Sequence, residues 1–82
     1  MARYSVETKL SPVETIRSAI VYFGVGGLGL KVAAEQGACC ASFEGGGGHV
    51  LVTAVEGDKR TEVELETREW DYHVKRFMRT IA

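Results

Sequence analysis

HVLVTAVEGDKRTEVELETREWDYHVKRFMRTIA, residues 49–82, decides the fold. His49 to Glu56 and Arg60 to Trp70 both alternate in polarity, and Gly57-Asp58 between them offers the positive φ angles that a tight hairpin turn needs. In the second run Thr61, Val63, Leu65 and Thr67 share one side, and Arg60, Glu62, Glu64, Glu66 and Arg68 share the other, so one face meets a core and the other meets water. Asp71 has the chemistry of a helix N-cap. Trp70, Val74, Phe77, Met78 and Ile81 follow at helical spacing, as an apolar stripe that can lie on the inner face of the hairpin.

Upstream, Arg3 to Leu10 alternates as a half-buried strand, with Tyr4, Val6, Thr8 and Leu10 on one side. Ser11-Pro12-Val13-Glu14 then combines a capping box with proline at the first helical position. Val13, Ile16, Ala19, Ile20 and Phe23 mark the buried face of that helix, and Gly24 ends it. Leu30 to Gln36 alternates again, Gln36-Gly37 turns the chain, and Ala38 to Glu44 reads as a short strand. Gly45 to Gly48 reads as a flexible loop, because glycine has the largest ordering entropy.

The order β-α-β-β-β-β-α over residues 1–82 predicts a single small α+β domain: an antiparallel, curved sheet with helices on one face. In that order of elements the chain resembles the TATA-binding-protein-like or helix-grip architecture, in which a curved sheet wraps around a C-terminal helix. The resemblance covers most of the chain, rests on element order alone, and brings no functional residue with it.

Ten basic residues against eleven acidic ones, a formal net charge of -1, argue against sequence-independent nucleic-acid binding, which works by neutralising phosphates. No apolar run approaches the roughly 18 residues that span a bilayer, and Met1-Ala2-Arg3-Tyr4 lacks the apolar core of a secretory signal, so the expected compartment is the cytoplasm. The two cysteines, Cys39 and Cys40, are adjacent. On a strand they would point apart, which predicts reduced thiols, one of them in the core.

Gly24-Val25-Gly26-Gly27-Leu28-Gly29 matches G-x-G-x-x-G, with Glu44 where a ribose-binding acid would lie. Gly24, Gly26 and Gly29 are therefore the cofactor-binding candidates of an enzyme reading. The competing reading is a plain helix-to-strand loop, favoured by the capping box that runs a helix into that segment, and no cofactor is expected. Cys39, Cys40 and His49 are the metal-ligand candidates, without any C-x-x-C spacing to support them. Glu62, Glu64, Glu66 and Glu69 form a solvated acidic row. Lys75, Arg76 and Arg79 suit the C-terminal end of a helix and would serve an anionic partner in a nucleic-acid reading. His73 is expected at the rim.

No catalytic residues are assigned. The sequence favours a non-catalytic binding or self-association module with an apolar concave face, over a small nucleotide- or thiol-dependent enzyme using the Gly24–Gly29 loop or Cys39/Cys40. The strand at His49 is apolar on both sides, which predicts a homodimer covering Val50 and Val52, together with a small apolar ligand or protein partner.

Overall fold

The computed structural model describes residues 1–36 and 39–82, with Gln36 described by its backbone alone. The elements are β1 (Ala2–Thr8), α1 (Pro12–Phe23), β2 (Lys31–Gln36), β3 (Cys40–Gly45), β4 (Gly48–Glu56), β5 (Thr61–Arg68) and α2 (Asp71–Ile81). The expected turn at Gln36-Gly37 and the start of a strand at Ala38 lie outside the described residues. The order is the α+β order that the alternation predicts. The sheet is open and five-stranded, ordered β1-β5-β4-β3-β2, and every neighbouring pair is antiparallel.

α1 begins as its sequence dictates. The Ser11 hydroxyl accepts from the Glu14 amide at 3.2 Å, the Glu14 carboxylate accepts from the Ser11 amide at 3.0 Å, and Pro12 takes the first helical position. Its buried stripe is Thr15, Ile16, Ala19 and Phe23. Val13, expected on that face, is exposed. Thr15 takes the inner place because its hydroxyl is satisfied locally, donating to the Ser11 carbonyl at 2.9 Å.

Both helices lie on one face of the sheet, α1 over β3 and β4, α2 over β1 and β5. Between the layers Phe23 meets Phe43 and Phe77 at ring-centroid distances of 5.4 and 5.3 Å. Val50, Val52, Ala54, Val63 and Leu65 rise into the same layer from the sheet. Val50 and Val52 are 0% exposed. Their assignment to a contact between copies is therefore corrected: β4 presents them to the protein's own helices, and Leu51 and Val55 are what it leaves on the open face.

The tetraglycine is a tight turn. Gly45 pairs with Gly48 as the last rung of the β3–β4 hairpin, and Gly46 and Gly47 carry φ of 58° and 77°. Two central residues with positive φ are what a two-residue hairpin of the I′ kind requires. Trp70 clamps it, its indole N–H donating to the Gly45 carbonyl at 2.9 Å. Conversely, Gly57-Asp58 is no two-residue turn. The β4–β5 connection is the four residues 57–60, closed by the Gly57 amide donating to the Arg60 carbonyl at 2.9 Å, and neither Gly57 nor Asp58 has a positive φ.

Candidate functional site

The Gly24–Gly29 loop follows a helix and precedes a strand, the reverse of a dinucleotide fingerprint, in which a strand leads to a helix whose N-terminus faces the pyrophosphate. Four of its six amides are also already used: Gly24 donates to the Ile20 carbonyl, Gly27 and Gly29 to that of Gly24, and Leu28 to that of Tyr22. They satisfy carbonyls at the end of α1 instead of converging on a phosphate. Gly24, Gly26 and Gly29 accordingly serve as a helix stop.

Cys39 and Cys40 are joined by a disulfide, which corrects the expectation of reduced thiols. Cys39 stands at a turn, so strand alternation does not separate the pair. Neither is in the core, Cys39 being exposed and Cys40 half-buried. His49 is far from both. Cys40 lies opposite Thr53 on β4, four residues beyond His49, or about 13 Å along a strand. Among the described residues, no group of three or more His, Cys, Asp or Glu side chains is placed to hold a metal.

The acidic row lies on the face away from the helices. Glu66 is met by Arg3 at 3.0 Å, with the His49 imidazole 4.0 Å away. Glu62 faces Glu7 across the β1–β5 pair, a like-charge juxtaposition. Glu69 has a φ of 77° and turns the chain into α2. The cap of α2 is Trp70 rather than Asp71, and it makes no side-chain capping bond. Asp71 instead accepts from the Tyr4 phenol at 2.6 Å, which holds that phenol above its ordinary value of 10.0. Lys75 lies over the Tyr4 ring, Arg76 lies over Tyr72, and the His73 ring packs between Trp70 and Tyr72.

The space between sheet and helices, expected to hold a ligand, is filled by the aromatic core. An apolar concavity lies outside it, in a groove of roughly 430 Å³ between α1 and α2. Leu10, Val21, Tyr22, Phe77 and Ile81 form its walls, with Arg17, Ser18 and Thr80 at the rim. Tyr22 packs against Phe77 at 5.5 Å, and Val21 is 69% exposed. Val21 and Tyr22 are apolar positions of α1 outside the stripe of Val13, Ile16, Ala19, Ile20 and Phe23 that the sequence marks. Leu10 was not legible as a groove residue, because it reads as the end of a strand, whereas its amide bonds the Thr8 hydroxyl at 3.2 Å and the chain turns toward the helices.

No helix among the described residues is long and apolar enough to cross a membrane. Compared with protein-family models, curated proteins and solved structures, the chain matches none.

Proposed function

We propose that this protein is a non-catalytic binding module that seats the apolar side of an amphipathic segment in the groove between α1 and α2. The groove itself carries the reading: five apolar side chains from three parts of the chain line an open concavity where α1 and α2 meet, the setting in which helix-in-groove recognition operates. The flanking charge selects the polar side of the partner. Arg17 stands at the rim on α1, and Arg76 lies one turn before Thr80 on α2, so acidic residues beside the apolar stripe complement both.

A designed Leu/Glu amphipathic peptide tests this by titration into the ¹⁵N-labelled protein. Saturable shifts are expected at the amides of Val21, Tyr22 and Thr80, and they should vanish in Val21→Lys, whose exposed site leaves the core intact. Shifts spread evenly over the surface, or binding unaffected by Val21→Lys, would defeat the reading. A response to a short alkyl probe but not to the peptide would replace the partner with a small apolar ligand.

A further inference from the structure

The two edges of the sheet differ. β2 carries an irregularity between Val32 and Ala34 where it meets β3, the kind of bulge that discourages further pairing. β1 has none. All seven of its residues pair in unbroken register with β5, it contains neither Pro nor Gly, and no loop or cap backbone hydrogen bond among the described residues uses it. Its outer row of amides and carbonyls is a free template.

The strand is also complementary to itself. Set antiparallel to a second copy about a two-fold axis at Ser5, the sequence Ala2-Arg3-Tyr4-Ser5-Val6-Glu7-Thr8 places Arg3 opposite the second copy's Glu7 and Tyr4 opposite its Val6. These are an opposite-charge pair and an aromatic–β-branched pair, each formed twice, and both are among the favourable cross-strand combinations. A slip of one residue turns the side chains to the wrong face, and a slip of two breaks both Arg–Glu pairs. Within one copy Glu7 has no ion-pair partner among the described residues and faces Glu62. The incoming Arg3 guanidinium relieves that juxtaposition while keeping its bond to Glu66, since a guanidinium has five donors.

We infer that two copies of this chain join through β1, edge to edge, into a continuous ten-stranded antiparallel sheet with both helical layers on the same side. This surface is separate from the helix groove and stands or falls independently of the binding role. A seven-residue edge is a small contact, so the dimer is weak and reversible. Sedimentation over a dilution series up to millimolar concentration should show a monomer–dimer equilibrium. Glu7→Lys removes the Glu7–Glu62 repulsion, so it stays folded, yet it sets Arg3 against Lys and should weaken the dimer roughly tenfold. Arg3→Glu should do the same. An equimolar mixture of the two variants restores opposite charges at every pair and should associate more tightly than either variant alone. A wild-type protein that stays monomeric at millimolar concentration, a Glu7→Lys variant that dimerises like wild type, or a mixture that fails to associate would each overturn the inference.

Discussion

Alanine placed singly at Gly46, Gly47 and Gly48 distinguishes a built turn from a flexible linker by sign. In a flexible linker each substitution would be near neutral, since folded and unfolded chain lose the same freedom, and at a site ordered in a conformation alanine can adopt it would stabilise by about 0.4–1 kcal/mol. Here Gly47 has a φ of 77° with open space where a Cβ would stand, so Gly47→Ala meets only the left-handed backbone cost of roughly 1–2 kcal/mol, partly offset by the unfolded-state gain. Gly46 adds a contact: its Cβ would stand 3.0 Å from the Trp70 ring, so Gly46→Ala should cost more. Gly48 has ordinary strand geometry, but its Cβ would fall on the Arg68 carbonyl and lie 2.8 Å from the Glu69 Cβ. The Arg68 backbone cannot swing aside as the end of a long side chain can, and the loss should reach or exceed the ~3 kcal/mol upper range of overpacking. Urea denaturation of the three variants gives the ordering. For a chain of this size 1 kcal/mol is also about 4–8 °C in Tm. Three neutral or stabilising substitutions, or Gly47→Ala as damaging as Gly48→Ala, would refute the turn as described.

Phe77→Ala removes the ring shared by the core and the groove, 1% exposed and in contact with Tyr22 and Phe23. It should cost about 3–5 kcal/mol, a large part of the roughly 4–12 kcal/mol expected for a domain of this length, and calorimetry should show near-complete loss of cooperative unfolding at 37 °C. The Tyr4 phenol, raised chiefly by its hydrogen bond to Asp71, holds its proton more tightly in the folded state than in the unfolded chain. Its contribution is therefore whole below pH 10 and is lost as pH rises through the folded pKa, and Tyr4→Phe should abolish that alkaline loss. Identical alkaline profiles for the two proteins would exclude the Tyr4–Asp71 bond as the cause.

Sequence patterning exposes β5 and the start of α1 because both are local. Thr61, Val63, Leu65 and Thr67 are apolar or small on one side only, and the capping box closes within four residues. β4 defeats the same reasoning: with Val50, Val52 and Ala54 on one side and Leu51 and Val55 on the other, alternation cannot say which side is covered. The pairing of Val52 with Leu65 settles it, and that is a property of two strands together. The glycines and the cysteines fail for a related reason. Composition shows that Gly45–Gly48 can be mobile, whereas the Trp70 clamp that holds it comes from residues 25 positions away. The alternation argument for Cys39 and Cys40 assumes a strand that already includes Cys39, whereas β3 begins at Cys40. The groove was half legible, since the sequence shows Val21 and Tyr22 off the core stripe but not that α2 lies beside them.

Among the strands β1 pairs with β5 alone, and its side-chain hydrogen bonds to α2 span 67 residues from Tyr4 to Asp71 and 73 from Thr8 to Ile81. The other strands follow one another as consecutive hairpins, which close short loops and form early, while distant pairings must first overcome the entropy of a long closure. Of these five strands, the one synthesised first is thus expected to find its place last. Its only strand partner is made after all the others, and until the two meet, the flank of β5 that β1 will occupy is open.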